Sequence, residues 1–196
     1  MRIIVACEFS GVVRDAFIAK GHDAVSCDLL PSESNSGRHF RMDIQEFSMC
    51  NYDLLIAHPP CTHLASSGAK HFVNKQNLQH QSIEFVKWLW NCPVEKIAIE
   101  NPIGILSTKW RKPTQIIQPF EYGHPEMKTT CLWLKGLKKL TPTNVLPPLF
   151  RDKQGVIQSS RKSLIHFASP GADRWKNRSR FYTGIASAMA EQWGNA

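Results

Sequence analysis

Residues 53–62 read Asp-Leu-Leu-Ile-Ala-His-Pro-Pro-Cys-Thr, and this stretch decides the fold class. Its apolar run has no polar gap, which predicts a strand buried on both faces of a helix-covered sheet. Two prolines then stop the strand, because proline cannot donate to a ladder, and leave Cys61 on a rigid loop at the strand's carboxyl end. Ligands bind at that edge of an open α/β sheet, so Cys61 is a candidate nucleophile. The alternative is a small buried hydrophobic side chain, as most intracellular cysteines are.

A second buried strand is predicted at residues 96–102, which read Lys-Ile-Ala-Ile-Glu-Asn-Pro. It ends in the carboxylate of Glu100 beside the amide of Asn101. A cysteine and a carboxyl group at neighbouring strand ends suit covalent addition to an electron-poor ring. The thiolate attacks a carbon while the carboxyl group stabilises the charge that develops on a ring nitrogen.

Charge and length restrict the protein class. The 196-residue chain has a net charge of +8, and its length suits a single domain over residues 1–196. The charge favours a polyanion such as nucleic acid through counterion release, although a soluble basic protein could have the same composition. Without a membrane-length apolar run, a leader or a CxxC pair, we expect a cytoplasmic protein with reduced cysteines and no membrane contact. No obligate protein partner is evident.

The N-terminal residues predict a strand, a glycine turn and a helix. Residues 2–7 are apolar, Phe9-Ser10-Gly11 forms the turn, and residues 12–20 have helical spacing. A second strand over 23–28 ends in Asp28, at an offset where an acid can take the hydroxyls of a ribose. The turn lacks a full GxGxxG pattern, and a single strand-end Asp is more often a cap or turn former. Residues 31–41, rich in Ser, Asn and Gly, are predicted to be a loop.

Taken in order, these segments resemble motifs of the cytosine-C5 DNA methyltransferases. The similar segments are Phe9-Ser10-Gly11, Asp28, Asp43-Ile44, Pro60-Cys61-Thr62 and Glu100-Asn101. The resemblance implies a Rossmann-like, S-adenosylmethionine-dependent methyltransferase fold, with a mostly parallel sheet and helices on both faces. It also implies that S-adenosylmethionine is the cofactor, with Asp28 on its ribose and Asp43 on its adenine amino group. The cofactor-binding residues expected from it are Phe9, Ser10, Gly11, Asp28, Leu29, Asp43, Ile44 and Pro60.

The resemblance further implies a covalent mechanism. Cys61 adds to C6 of cytosine, Glu100 stabilises the ring at N3, and Asn101 and Lys128 complete the catalytic set. The activated C5 takes the methyl group, and loss of its proton releases the thiol. A cytosine within a duplex must be flipped out for this chemistry. Residues 66–72 then correspond to the family's mobile loop over the flipped base, the alternative being an ordinary exposed connection.

Residues 122–130 resemble the family's eighth motif with departures. The matches are Tyr122, Gly123 and Pro125, and the departures are Glu126, Lys128 and Thr130. Thr130 stands where an arginine normally touches the cytosine carbonyl, and a threonine offers at most one neutral hydrogen bond. We therefore expect substrate binding to be partly rebuilt, using Thr62, Ser66, Lys128, Thr130, Arg178 and Arg180.

The C-terminal part is reduced relative to the family. Residues 141–177 replace its large recognition domain with a short irregular region, and Gly184 opens a predicted final helix over 185–193 that resembles the tenth motif. Basic residues between 151 and 180 are predicted to contact the phosphates of double-stranded DNA. The arrangement resembles small phage and prophage members of the family, which would act in the host cytoplasm.

Two other interpretations stay open at this stage. One is an enzyme of the same fold that modifies a free cytosine nucleotide or adds a group other than methyl. Another is an inactive DNA-binding or anti-restriction protein, against which the presence of both Cys61 and Glu100 argues. A metal site is not favoured: His58 and His63 flank Cys61, but a zinc deaminase would need a second nearby cysteine, which is absent. We therefore expect no metal.

Overall fold

A seven-stranded sheet organises the computed structural model, which describes residues 1–71, 73–147, 150–151, 157–158 and 180–195. The strand order is β3-β2-β1-β4-β5-β7-β6. The strands are β1 (Arg2–Ala6), β2 (Asp23–Asp28), β3 (His39–Arg41), β4 (Leu54–Ala57), β5 (Lys96–Pro102), β6 (Gln115–Ile117) and β7 (Thr130–Lys135). The order reverses between β1 and β4, because the chain builds outward to β3 and then returns to the other side of β1.

Most of the sheet is parallel. Strand β1 pairs in parallel with β2 and β4, β2 with β3, and β4 with β5, while β7 pairs antiparallel with both β5 and β6. The fold is therefore mixed α/β. Every residue of β4 is buried, as its uninterrupted apolar run predicted.

Helices cover both faces of the sheet. The helices are α1 (Val12–Ala19), α2 (Gln76–Trp90), α3 (Leu106–Lys109) and α4 (Thr183–Trp193). Alternate residues of the central strands point to opposite faces, so Ile3 packs with α1 and α4 in one core layer, and Ile4 packs with α2 in the other. Both layers have fully buried strand residues at their centre, which fixes the carboxyl ends of β1, β4 and β5 side by side.

Two segments that the sequence predicted to be loops have regular structure. His39–Arg41 forms the edge strand β3, although residues 31–41 were expected to be a loop. Its three residues lack apolar alternation, and the His39 ring is held instead by polar contacts to Ser26 (2.9 Å) and to the carbonyl of Leu30 (2.9 Å). Ser66–His71 forms a 3-10 helix, within the stretch predicted as a mobile loop, and the Ser66 N–H donates to a backbone carbonyl after β5 (2.9 Å).

One predicted boundary also differs, because strand β1 ends at Ala6 rather than Cys7. Strand β5 covers residues 96–102 as predicted: its parallel pairing with β4 stops at Ile99, and it continues to Pro102 beside the antiparallel β7. On the side of β5 that pairs with β4, the prolines end β4 before it reaches Glu100. Glu100 therefore faces the Cys61 loop on that side.

Little of region 141–177 belongs to the described residues. Phe150–Arg151 (β8) and Ile157–Gln158 (β9) form an antiparallel pair. The domain boundaries and the reduced recognition region remain predictions. None of the described helices has both the length and the apolar character needed to cross a bilayer.

Candidate active site

The Cys61 loop lies at the carboxyl edge of the parallel strands. It follows β4 directly, and the side chains of Pro60, Cys61 and Thr62 are exposed. The Cys61 carbonyl accepts the backbone N–H groups of Leu64 (3.0 Å) and Ala65 (2.9 Å), which closes the loop into a turn. The thiol therefore projects from a fixed turn at the ligand-binding edge of the sheet.

Two contacts fasten this loop to the neighbouring strand. The Asn101 side chain, only 1% exposed, donates from Nδ2 to the carbonyl oxygen of Pro59 at 2.8 Å. Ala65 forms an isolated antiparallel bridge with Gly104, just beyond β5. A Cβ at Gly104 would lie 1.9 Å from the Leu64 carbonyl oxygen, so only glycine allows this approach. The loop and the Glu100–Asn101 segment thus form one unit.

Glu100 meets a histidine that sequence reasoning considered only as a metal ligand. His58 Nδ1 lies 3.2 Å from Glu100 Oε2, and the two side chains are 12% and 15% exposed. The parallel register β4–β5 explains the pairing, because each residue is the next after the last paired residues Ala57 and Ile99. Within the described residues, no group of three or more His, Cys, Asp or Glu side chains could hold a metal ion.

The β1–α1 turn has an unusual backbone. Cys7 adopts a positive φ of 59°, uncommon for a residue with a side chain, and Gly11 has φ 76°. Gly11 is also required by packing, since a Cβ there would lie 2.2 Å from an Arg14 guanidinium nitrogen. Phe9 is buried and Ser10 is half-buried. Strained backbone of this kind concentrates at ligand sites, and this turn borders the point where the strand order reverses.

The turn buries a carboxylate that sequence reasoning missed. Glu8 accepts the backbone N–H groups of Val13 (2.6 Å) and Arg14 (3.2 Å) at the start of α1. Burial raises the pKa of Glu8, while the nearby His58 and the two N–H bonds lower it. An acid just before a glycine turn and a helix was the available signal, because carboxylates stabilise helix N-termini. Two of the first N–H groups of α1 are therefore already bonded to the Glu8 side chain.

The predicted cofactor acids lie at the ends of the next two strands. Asp28, half-buried at the end of β2, accepts the N–H of Leu30 (2.9 Å), and burial raises its pKa. Asp43 accepts the N–H of Gln45 (2.9 Å) and caps a short 3-10 helix. Each acid thus has a local capping role. Both also raise the pKa of the Cys7 thiol, after the larger effect of burial, so they lie near the β1–α1 turn.

The two apolar residues predicted beside these acids differ in burial. Leu29 is 67% exposed and follows Asp28 at the sheet edge, where its side chain is accessible to a ligand. Ile44 is buried in the core layer that also holds α2. The cofactor roles of both residues remain predictions.

The segments resembling the eighth and tenth motifs pack together. The Gly184 N–H donates to His124 Nε2 (2.9 Å), and a Cβ at Gly184 would lie 1.8 Å from the Tyr122 carbonyl oxygen. Tyr182 donates its hydroxyl to a carboxylate oxygen of Glu126. The start of α4 is therefore fixed to the stretch before β7. Tyr182 and His124 were not singled out from the sequence.

Lys128 and Thr130 lie next to this contact. Lys128 Nζ lies 5.6 Å from the centre of the Tyr182 ring, within cation–π range. Thr130 is 3% exposed, and its hydroxyl donates to the Lys128 carbonyl oxygen (3.0 Å). The Thr130 hydroxyl is thus already engaged with the backbone just before β7.

Arg180 lies at an open depression of about 650 Å³ beside the β1–α1 turn, whose lining includes Ser10 and Ser32. Its guanidinium contacts the Glu33 carboxylate at 3.1 Å. The structure thus brings Arg180 to the predicted cofactor side of the site. Arg178, predicted with it, lies outside the described residues.

Comparison with family models and with curated proteins gives no match for this chain. Among solved structures, it is similar to a crystal structure described as a candidate DNA modification methyltransferase encoded within an E. coli prophage. The sequence identity is 15% and the TM-score 0.50. The similarity covers 75% of this chain and 52% of that one, so this chain spans about half the length of that protein. At this identity the likeness establishes the shared α/β fold.

Proposed function

We propose that this chain is a DNA-modifying methyltransferase that transfers a methyl group from S-adenosylmethionine to C5 of cytosine through a covalent Cys61 adduct. The observation that carries the proposal is the hydrogen bond from the Asn101 amide to the Pro59 carbonyl, which fixes the Cys61 loop to the strand that contains Glu100. It holds a thiol and a carboxyl group on adjacent strands at the ligand-binding edge. Nucleophilic addition to a ring with charge stabilisation at a ring nitrogen needs that pair.

The finer fold assignment, Rossmann-like, is part of this proposal. Five neighbouring strands follow the order 3-2-1-4-5 of the doubly wound sheet, and helices cover both faces. The cofactor would bind where the order reverses, at the β1–α1 turn.

The residues at that turn fit S-adenosylmethionine better than a dinucleotide. Phosphate groups bind helix N-termini through unoccupied N–H groups, but the Glu8 carboxylate already fills two of them at α1. A ligand with a sulfonium and an ammonium group, and no phosphate, suits a site with Glu8, Asp28 and Asp43 nearby. The Phe9–Gly11 turn would approach the ligand, with Asp28 and Asp43 as acceptors for its ribose and adenine. When bound, S-adenosylmethionine supplies an electrophilic methyl group.

The protein's own residues would perform the following steps. The Cys61 thiolate adds to C6 of a flipped cytosine, and the Glu100 carboxyl group provides a proton at N3 as charge develops there. Asn101 keeps the Cys61 loop in register with Glu100, since it bridges them in the fold. Lys128 adds positive charge near the carbonyl side of the base. The C5 proton is lost as the thiol leaves.

DNA as the substrate is supported by the net charge of +8 and by the prophage protein similar in fold. A mononucleotide needs only a local anion site, whereas a broad positive charge favours a polyanion. One observation favours a free cytosine nucleotide instead. The Thr130 hydroxyl is engaged by the Lys128 carbonyl, so it gives little of the base contact expected of the family's arginine.

Transfer of a labelled methyl group tests the proposal. The protein is incubated with labelled S-adenosylmethionine and, separately, with duplex DNA, single-stranded DNA, RNA and cytosine nucleotides. We expect label in duplex DNA as 5-methylcytosine. Label only in the nucleotide would favour the second candidate, and label in none of these substrates would contradict both.

A further inference from the structure

We propose that His58 is a positioning residue that determines which oxygen of Glu100 carries the proton offered to the substrate ring. This inference rests on the proposed function. It starts from the 3.2 Å contact between His58 Nδ1 and Glu100 Oε2, two side chains that are nearly buried between β4, β5 and the chain before α4. Such a contact in a low-dielectric site orients both partners strongly.

The other ring nitrogen restricts the protonation state of His58. Its Nε2 is buried and has no hydrogen-bond partner among the described residues. An imidazolium, or the tautomer protonated at Nε2, would bury an N–H group without an acceptor. The neutral tautomer protonated at Nδ1 leaves only a lone pair there. In that tautomer His58 donates from Nδ1 to Glu100 Oε2.

The charges around His58 favour its protonated form, so the neutral state depends on the buried Nε2, which has no acceptor among the described residues. Three carboxylates act on it: Glu100 from β5, Glu8 from the turn after β1, and Asp28 from the end of β2. Glu8 and Asp28 accept backbone N–H groups and do not accept from Nε2. The Phe181 ring covers His58 with a centroid distance of 4.8 Å. His58 thus links the cofactor side of the site to Glu100.

The consequence for Glu100 concerns its two oxygens. Because Oε2 accepts from His58, a proton on the carboxyl group resides on Oε1. When the Sγ–C6 bond forms, the electron pair of the C5=C6 π bond moves toward C5 and C4 and places negative charge on N3. The proton on Oε1 is then transferred to N3. After C5 has taken the methyl group, the C5 proton passes to solvent water, and its bonding pair forms C5=C6 again and expels the thiolate. The N3 proton returns to Oε1. His58 keeps its Nδ1 proton hydrogen-bonded to Glu100 Oε2 and acts on the substrate only through Glu100.

A double-mutant cycle tests the inference by single-turnover methyl transfer to duplex DNA. We expect His58→Ala to lower the maximal rate roughly 10- to 100-fold, with unchanged KM for DNA. His58→Asn should restore most of the rate, because its amide N–H can take the place of Nδ1–H. In a Glu100→Gln background, His58→Ala should cost no further rate. Equal losses in the Asn and Ala variants, or losses that multiply in the double variant, would overturn the inference.

Phe181→Leu serves as the matched packing control. It removes the ring that covers His58 and leaves the His58–Glu100 contact in place, so we expect a smaller rate loss than in His58→Ala. If Phe181→Leu matched His58→Ala and Asn gave no rescue, packing alone would explain His58. Thermal unfolding of each variant verifies folding.

A readout independent of activity separates this inference from the proposed function. In ¹⁵N–¹H spectra of the histidine rings, we expect His58 as a neutral ring protonated at Nδ1, with a signal that shifts in Glu100→Gln. A wild-type protein inactive on every substrate would contradict the proposed function alone. A His58 ring protonated at Nε2, or unaffected by Glu100→Gln, would overturn the role of His58 whatever the activity.

Discussion

Replacing Asn101 by alanine should disconnect the nucleophile from the strand that carries Glu100. The substitution removes the 2.8 Å bond from Nδ2 and leaves the carbonyl of the buried Pro59 without its donor, which costs about 1–3 kcal/mol. It also removes Oδ1, a buried oxygen with no partner among the described residues, which offsets part of that cost. We therefore expect a net loss of about 1–2 kcal/mol in the free energy of unfolding.

The effect of Asn101→Ala on catalysis should exceed its effect on stability. A displacement of the thiol by about 1 Å can lower the rate roughly 100-fold. Gln115→Ala is the matched control, because its amide also holds backbone, bonding the Leu140 carbonyl (2.7 Å) and N–H (2.8 Å), but from the outermost strand β6. Urea unfolding and single-turnover transfer are measured on both variants. Equal loss of transfer at equal loss of stability would refute a positioning role for Asn101.

Three further substitutions test the electrostatics of the site. Burial raises the pKa of Glu8 above 4.5, so folding favours the protonated form of this side chain. The free energy of unfolding of the wild-type protein should therefore fall, relative to that of Glu8→Gln, as pH rises above 4.5. Urea unfolding measured at a series of pH values above 4.5 would contradict this if the difference between the two proteins were constant. Asp28→Asn and Asp43→Asn keep the capping oxygens but remove the charge of the side chain. Each substitution should weaken S-adenosylmethionine binding, measured by calorimetry, by about 1 kcal/mol. Asp53→Asn, at the opposite edge of the sheet, is the control and should leave binding unchanged. Arg180→Ala should lower the slope of log DNA affinity against log salt by about one, and an unchanged slope would remove Arg180 from the phosphate contacts.

Much of the fold followed from local pattern, because its central strands are continuous apolar runs. The buried strand β4 ended by Pro59 and the helical spacing of α1 both appear as predicted. Strand β3 was missed because it has only three residues, with a single apolar side chain, and is held by the His39 contacts to Ser26 and Leu30. The antiparallel pairing of β5 with β7 was not predicted, because strand direction leaves no local signal in the sequence.

Residues of the candidate site could be predicted from the sequence only where a reactive side chain stands at the end of a recognisable apolar strand. Cys61 and Glu100 were singled out because each stands at the end of a recognisable apolar run, and their catalytic roles remain predictions. Glu8 and His58 were not, because their roles depend on neighbours brought together by the parallel register of β1, β4 and β5. Tyr182 likewise gains its place only when α4 packs against the stretch before β7.

Trapping of a covalent complex tests the central role of Cys61 most directly. Duplex DNA that contains 5-fluorocytosine is incubated with S-adenosylmethionine and with wild-type or Cys61→Ser protein, and the products are separated under denaturing conditions. Fluorine cannot leave C5 as a proton does, so the wild-type protein should remain bonded to DNA. Cys61→Ser should form no adduct yet still bind S-adenosylmethionine, since the hydroxyl is a far weaker nucleophile. Methyl transfer by wild-type protein without an adduct, or an adduct that persists in Cys61→Ser, would contradict the mechanism.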